Sequence, residues 1–219
     1  MATRVLRTGG LKFDGVDDDI YVGDPPSLWL STFTAMAWIY AYNPSGPQGC
    51  ILCKGRAYNE NYGLFVNGTV RWQFTSGGSY HFIDSTTNVL GKWHFVAGTF
   101  DGSYLRLYID AVKEKEASAA NPDMVALPLR IGARNTGNTP ELWFRGLIGE
   151  VRIYNRALSA SEISDIYNYG TVIRDGLVLL LDFTEYEGDK AYDKSGCGNH
   201  GTIYGAEWVI KKAKRVVST

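Results

Sequence analysis

The stretch that decides the fold is Arg145-Gly-Leu-Ile-Gly-Glu-Val-Arg-Ile-Tyr-Asn-Arg-Ala-Leu-Ser159, where an apolar strand runs directly into a short helix. Leu147, Val151 and Ile153 have the aliphatic, largely β-branched character of a buried strand. Glu150 stands in the middle of that strand, and a carboxylate beside an apolar core is unfavourable unless a cation or hydrogen bonds compensate it. We therefore expect Glu150 to have a partner.

The helix begins where this strand ends. Ser159-Ala-Ser-Glu162 has the spacing of a capping box. Ile163, Ile166 and Tyr167 then form one apolar helix face, and Gly170 is typical of a helix end. We expect this helix to be the only substantial one in the chain.

Composition indicates one all-β domain. The chain has 219 residues, of which 45% are hydrophobic, with 25 glycines and 14 tyrosines. Short strands separated by turn residues fit a sandwich or barrel better than a helical bundle. The net charge of −1 and the scattered basic residues argue against an electrostatic nucleic-acid binder. The one basic run, residues 211–215, is interpreted as a solvated tail.

Targeting signals are missing from the sequence. The first ten residues, Met1 to Gly10, have no apolar core of a signal peptide, and no long uncharged apolar run predicts a membrane span. Cys50, Cys53 and Cys197 make an odd count, so at least one thiol is free or pairs between chains. None of the three histidines has zinc-ligand spacing to them, so we interpret the cysteines as small buried side chains.

Two hairpins are predicted from turn signals. Residues 62–74 turn at Asn67-Gly68, a two-residue sequence typical of primed turns. Within this hairpin the apolar residues from Val70 to Phe74 alternate with polar ones, which predicts one core face and one wet face. Residues 92–110 form the second hairpin and turn at Asp101-Gly102.

Two further segments are candidate sites. Asp14-Gly15 is followed by an acidic cluster, Asp17, Asp18 and Asp19. Carboxylates on such a turn suit a hard cation, although a solvated turn stabilised by its own aspartates explains them equally well. Residues 133–142 form a long polar loop with Trp143 at its exit, and such loops often carry recognition residues.

Taken together, these residues resemble the laminin G-like jelly-roll domains of the concanavalin A-like lectin/glucanase superfamily. The resemblance implies an all-β fold, a two-sheet antiparallel jelly-roll sandwich with one short helix, formed by residues 1–219 as a single domain. The segments that carry the resemblance follow the family's order and are Leu11 to Asp18, Phe33 to Trp38, Lys92 to Gly102, Leu105 to Asp110 and Gly149 to Ser159.

The C-terminal part departs from the family pattern. Residues 176–183 and 193–208 resemble the segment that usually opens such a domain, but here they close the chain. Either the domain is circularly permuted with adjacent termini, or residues 176–219 complete the sheet of a neighbouring subunit in a homo-oligomer.

The resemblance also implies a calcium ion at the edge of a sheet. Carried over by position, its ligands are Asp14, Gly15, Glu150 and Asp182. The competing interpretation is that Glu150 pairs with an arginine or with backbone amides.

Catalytic activity is not expected. Catalytic members of this superfamily need carboxylates on one strand in a Glu-x-Asp-x-x-Glu pattern, which this sequence lacks. The first hypothesis is a non-catalytic, calcium-stabilised, lectin-like domain that binds a carbohydrate or glycoprotein, as in cell adhesion. Its candidate ligand-binding residues are Tyr58, Tyr80, Arg134 and Trp143.

The second hypothesis is a structural subunit of an extracellular or viral particle surface. Residues 176–219 would then join neighbouring copies. Both hypotheses predict a location outside the cell or on a particle surface, although the N-terminus offers no signal peptide.

Overall fold

The structure is a computed structural model that describes residues 10–44, 46, 48–136 and 139–209. Within these residues the chain folds into two β-sheets packed face to face, with one α-helix on the outside. The predicted all-β sandwich is therefore confirmed. The basic run at residues 211–215 and nearly all of the N-terminal segment lie outside the described residues.

The secondary structure elements are given in chain order. The first strands are β1 (Gly10–Asp14), β2 (Asp19–Gly23), β3 (Phe33–Ala41), β4 (Gly49–Arg56), β5 (Asn59–Asn67), β6 (Thr69–Ser76), β7 (Ser79–Asp84), β8 (Trp93–Phe100) and β9 (Tyr104–Ile109). The next are β10 (Val112–Ser118), β11 (Leu129–Ile131), β12 (Arg134–Thr136), β13 (Thr139–Glu141) and β14 (Arg145–Tyr154). After helix α1 (Ala160–Tyr169) come β15 (Leu177–Leu181), β16 (Lys190–Ala191), β17 (Gly201–Tyr204) and β18 (Glu207–Val209). A short 3-10 helix covers Pro26–Leu28.

Strand β14 organises the first sheet, whose spatial order is β10, β9, β8, β3, β14, β1 and β18. One edge of β14 pairs with β3. Its other edge pairs with β1 through residues 145–148 and with β15 through residues 151–154. The longest described strand thus pairs with strands from both the N-terminal and the C-terminal parts of the chain. Its apolar sequence predicts a buried strand, and it lies inside the sheet.

The second sheet has the spatial order β16, β17, β2, β11, β4, β5, β6 and β7. The short hairpin formed by β12 and β13 is attached to it through one parallel bridge to the end of β4. The two predicted hairpins are present as β5–β6 and β8–β9. In the first, Asn67 already pairs with Thr69, so Gly68 alone forms the apex, with φ of 77°.

Aromatic side chains fill the space between the sheets. Trp72 of β6 packs against Phe33 of β3 with ring centroids 5.7 Å apart. Its indole nitrogen donates a hydrogen bond to the carbonyl of Thr99 at 3.1 Å. A Cβ at Gly98 would lie 2.2 Å from the Trp72 ring, so only glycine allows the indole to approach β8 this closely.

Helix α1 covers the outer face of the first sheet. The predicted capping box is confirmed, because the Ser159 hydroxyl accepts from the Glu162 amide and the Glu162 carboxylate accepts from the Ser159 amide. Gly170 ends the helix with φ of 67°. Ile163 and Ile166 are buried by this packing. The described residues contain no helix with the length and hydrophobicity of a membrane span.

The C-terminal strands complete the sheets of their own chain. β15 pairs with β14, β17 with β2, and β18 with β1. Residues 177–209 therefore close the sandwich of this single chain, and the exchange of this segment between neighbouring subunits stays untested. That the segment order is a circular permutation of the family pattern stays a prediction, as does a homo-oligomer.

Candidate functional site

The two sheets differ in the side chains that point away from the core, and the second sheet carries the candidate site. One row of outward-pointing residues crosses its strands, with Arg130 opposite Cys53, Cys53 opposite Gly63, Gly63 opposite Gln73 and Gln73 opposite Phe82. We call the outer surface of β4, β5, β6 and β7, together with the β12–β13 hairpin, the polar face.

Two tyrosines stand at one end of the polar face. Tyr58, in the turn between β4 and β5, is 69% exposed and has φ of 59°. Its amide donates a hydrogen bond to the Tyr80 hydroxyl at 2.9 Å, and the two ring centroids are 5.1 Å apart. Burial raises the pKa of Tyr80, which keeps its hydroxyl neutral. The pair therefore presents an exposed aromatic surface that is fixed by its own hydrogen bond.

A buried glutamate lies beside this pair. Glu60 accepts from the Gln73 amide at 2.5 Å and from the Arg134 guanidinium at 3.0 Å. The Glu60 backbone also exchanges hydrogen bonds with the Thr75 hydroxyl, at 2.8 and 3.1 Å. Burial raises the pKa of Glu60, while Gln73 and Arg134 oppose that shift. The arginine and the amide thus satisfy a charge that would otherwise be unfavourable.

The β12–β13 hairpin supplies the arginine. Arg134 and Glu141 are opposite each other in its register, and Glu141 accepts from two nitrogens of Arg134, at 2.9 and 2.5 Å. The guanidinium lies 5.8 Å from the Phe65 ring centroid. Phe65 belongs to a buried cluster with Cys50 and Cys53, which confirms the interpretation of these two cysteines as small buried side chains. The same interpretation is wrong for Cys197, which is exposed.

The predicted ligand-binding residues are only partly brought together. Tyr58, Tyr80 and Arg134 share one end of the polar face through Glu60. Trp143 lies two residues beyond Glu141 of the β12–β13 hairpin, and its carbonyl is beside Gly49 at the start of β4. Among the described residues, no hydrogen bond or ring contact joins the Trp143 side chain to Tyr58, Tyr80 or Arg134.

Sequence reasoning missed Glu60, Gln73 and Glu141. Residues 54–61 are mostly polar, which is typical of a loop, but the structure continues β4 to Arg56 and begins β5 at Asn59. Three polar side chains of this segment, Lys54, Glu60 and Asn61, are buried, and each has a hydrogen-bond partner. Lys54, for example, binds Asp24 and two carbonyl groups. Gln73 was expected on a wet face, but it is buried beside Glu60.

The four residues predicted to bind calcium do not form one cluster. Asp14 is opposite Arg145 in the β1–β14 register, and five residues along β14 place Glu150 about 17 Å further on. Glu150 accepts from Arg152 at 2.6 Å, which is the arginine partner considered as the alternative. Asp182 binds Lys194 at 2.5 Å. Their charges are therefore compensated by basic side chains.

Asp14 instead lies with two nearer aspartates. Ligand oxygens of Asp14, Asp17 and Asp18 are all within 4.8 Å of one another. Asp18 is buried and accepts from the Asp14 amide at 2.7 Å, while Asp14 accepts from the Val16 amide at 2.7 Å. Burial and the two neighbouring carboxylates raise the pKa of Asp18. Three carboxylates at this separation fit a hard cation with oxygen ligands.

Comparison with known proteins identifies the fold. A family model described as the concanavalin A-like lectin/glucanases superfamily, Laminin_G_3, matches residues 14–164. No curated protein matches the chain. Among solved structures, a candidate carbohydrate-binding protein from Bacteroides ovatus ATCC 8483 is 21% identical, with a TM-score of 0.72. The match covers 94% of this chain and 60% of that one, so this chain spans less than two thirds of the length of that chain.

Two other similar structures contain bound sugars. The CBM40 domain of the Ruminococcus gnavus IT-sialidase, bound to α2,3-sialyllactose, is 16% identical with a TM-score of 0.56. The match covers 71% of this chain and 96% of that one. Domain 4 of AbnA, an extracellular arabinanase from Geobacillus stearothermophilus, is in complex with arabinotriose. It is 17% identical with a TM-score of 0.51, and the match covers 71% of this chain and 75% of that one. At these identities the likeness is one of fold.

Proposed function

Because this chain belongs to the concanavalin A-like lectin/glucanases superfamily, we propose that it is a non-catalytic carbohydrate-binding domain whose ligand lies on the polar face. The observation that carries the proposal is the exposed Tyr58–Tyr80 pair beside the buried Glu60–Arg134 pair. Aromatic rings pack against the C–H faces of sugars, and fixed polar groups bind their hydroxyls. Similar folds with bound sialyllactose or arabinotriose support a sugar as the ligand class.

The polar groups of this site are held in place before any ligand arrives. Arg134 is bound by two glutamates, and Gln73 by one of them. Side chains that are already ordered lose little rotamer freedom on binding, so their hydrogen bonds contribute more fully to affinity. An exposed aromatic surface next to an ordered polar cluster is the arrangement expected of a binding site.

The proposal is tested by screening the purified chain on a glycan array and measuring the best sugar by titration calorimetry. Tyr58→Ala should weaken binding at least about tenfold, because it removes the exposed ring. Tyr169→Ala is the matched control, since Tyr169 is 62% exposed on the helix that covers the opposite sheet. Unchanged binding in Tyr58→Ala, or an equal loss in the control, would overturn the proposal.

A calcium ion is a separate part of the proposal. We place it at the turn after β1, with Asp14, Asp17, Asp18 and the carbonyl of Gly15 as candidate ligands. A bound cation would remove the repulsion between three neighbouring carboxylates. At a calcium concentration about 100 times the dissociation constant, it would stabilise the fold by about 2.7 kcal/mol.

Thermal unfolding in calcium and in chelator tests this site. Calcium should raise Tm in the native chain and have a much smaller effect in Asp18→Asn, because Asn supplies one oxygen without the charge. Magnesium serves as the control for a general ionic effect. Equal Tm values in calcium and chelator for the native chain would contradict the site.

A further inference from the structure

The polar face has a cavity at the end away from the two tyrosines. Its volume is about 140 Å³, and polar side chains dominate its lining, which includes Gln48, Phe65, Asn67, Thr69, Arg71 and Asp84. Asn67 and Thr69 come from the β5–β6 turn, and Arg71 and Asp84 are opposite each other in β6 and β7. The cavity is smaller than a complete small-molecule site, so it suits one unit of a longer ligand.

A bidentate ion pair forms one wall of this cavity. Arg71 donates to the two Asp84 oxygens at 2.8 and 2.9 Å, and both side chains are more than a third exposed. The guanidinium also lies 4.2 Å from the Phe82 ring centroid, and that residue is 48% exposed. Guanidinium and carboxylate groups have more donors and lone pairs than this pair uses. The wall can therefore bind neighbouring hydroxyl groups without breaking the ion pair.

The cavity and the tyrosine pair lie on one line. Tyr80, Phe82 and Asp84 are alternate residues of β7, opposite Thr75, Gln73 and Arg71 of β6. Alternate residues of a strand point to the same face, so these three side chains all lie on the polar face. At about 3.3 Å per residue, the backbone positions of Tyr80 and Asp84 are about 13 Å apart. Phe82, between them, offers a second exposed ring. A ligand that contacts both ends must be a chain of several sugar units.

Charge pairing on this line disfavours an acidic sugar. Arg71 is bound by Asp84, and Arg134 is bound by Glu60 and Glu141. A carboxylate on a sugar would contact a guanidinium whose charge is already balanced, and it would lie beside the protein carboxylates that balance it. Their repulsion offsets the attraction of the guanidinium, whereas hydroxyl groups bind the intact pairs without this repulsion.

We infer that the polar face binds an uncharged oligosaccharide, which lies along β7 from the Tyr58–Tyr80 pair to the Arg71–Asp84 pair. The inference rests on the proposed carbohydrate-binding function and names its ligand class. Each end of the oligosaccharide would contact an aromatic ring and an arginine whose charge is neutralised, so neither end of the site selects for an anion.

Titration calorimetry with neutral oligosaccharides of increasing length tests the inference, using disaccharides to hexasaccharides of the best array hit. Affinity should rise at least about tenfold from the disaccharide to a longer chain, because only the longer chain contacts both ends. Sialyllactose should bind no more tightly than lactose. A preference of about tenfold or more for sialyllactose would overturn the inference, and so would equal affinity at all lengths.

Variants at the cavity separate the inference from the proposed function. Phe82→Ala and Asp84→Asn should each reduce the affinity for the long oligosaccharide to the affinity for the disaccharide. The affinity for the disaccharide itself should not change. The matched control is Glu116→Gln, because Glu116 also binds an arginine, Arg106, that lies beside an exposed tyrosine, but it does so on the first sheet. Glu116→Gln should bind both ligands like the native chain.

The outcomes are distinguishable. If Tyr58→Ala abolishes binding while Phe82→Ala and Asp84→Asn bind the long chain normally, the proposed function stands and the inference is overturned. If no sugar binds, or if Tyr58→Ala binds every sugar normally, the proposed function itself fails. Far-ultraviolet circular dichroism of each variant shows that the fold is intact before binding is compared.

Discussion

The outer faces of the two sheets contain the same kind of buried ion pair in opposite surroundings. On the first sheet, Glu150 binds Arg152, whose other nitrogens donate to the carbonyls of Gly170 and Thr171 at the end of α1. On the second sheet, Glu60 binds Arg134, and no described helix covers that pair. The first pair ties a helix to a sheet, whereas the second lies next to exposed tyrosine rings.

This difference indicates that the outer face of the first sheet contributes to stability, whereas that of the second sheet is available for ligand binding. The first face is sealed by apolar contacts, since Trp38 stacks on Tyr167 of α1 with ring centroids 5.5 Å apart. The second face has an ordered polar cluster in which Glu60 and Gln73 are buried, while Glu141 on the same arginine is about a third exposed and can be reached by a ligand. Substitutions on the first face should therefore reduce the free energy of unfolding, and substitutions on the second should mainly reduce ligand affinity.

The largest expected effect is at Trp38 on the first face. Trp38→Ala removes a side chain that is only 5% exposed and contacts Phe95 and Tyr167. The free energy of unfolding should fall by about 3–5 kcal/mol, measured by urea denaturation. Tyr58→Ala, the comparison on the second face, should change it by less than about 0.5 kcal/mol. A loss below about 1 kcal/mol in Trp38→Ala would contradict the role of the helix-covered face.

The next largest effect is expected from replacing the buried glutamates, Glu150 and Glu60, by glutamine one at a time. Glu150→Gln leaves Arg152 buried without its carboxylate, which should lower stability by about 2–3 kcal/mol. Glu60→Gln should lower it by only about 1 kcal/mol, because Arg134 keeps Glu141. Urea denaturation of the two variants gives the comparison directly. Equal losses would mean that Glu141 does not compensate Arg134.

The smallest effect is at the helix cap and depends on pH. Hydrogen bonds from Arg156 and Ser159 lower the pKa of Glu162 from 4.5 to about 2. A lowered pKa means that the stabilisation is present above pH 4.5 and is lost as the pH falls through about 2. The native chain should be more stable than Glu162→Gln by about 1 kcal/mol near neutral pH, after allowance for solvent screening. The difference should approach zero near pH 2, and a constant difference would contradict this assignment.

Local signals predicted most of the fold. The strand and cap between Arg145 and Ser159 are present as expected, and so are both hairpins. These features depend on residues close together in sequence, where periodicity and turn chemistry act directly. The sequence left two possible arrangements for the C-terminal strands. Their pairing with β14, β2 and β1 joins residues that are remote in sequence, so local signals could not predict it.

The candidate site was less predictable because its contacts are remote in sequence. Glu60 and Arg134 are 74 residues apart, and burial of Gln73 depends on the same network. The alternation of residues 70–75 correctly separates the two faces of β6, but it contains no information about the hairpin that later covers one of them. Trp143 is predicted from its position after a polar loop, but that position does not determine its contacts. In the structure the chain turns there toward β14, with the Trp143 carbonyl beside Gly49 of β4.

Binding of an uncharged oligosaccharide to the polar face can be observed residue by residue in an NMR titration of the isotopically labelled protein. The best neutral oligosaccharide should shift the amide resonances of β5, β6, β7 and the β12–β13 hairpin, while those of α1 stay unchanged. Shifts concentrated on α1, or on the turn from Asp14 to Asp19, would contradict binding at the polar face.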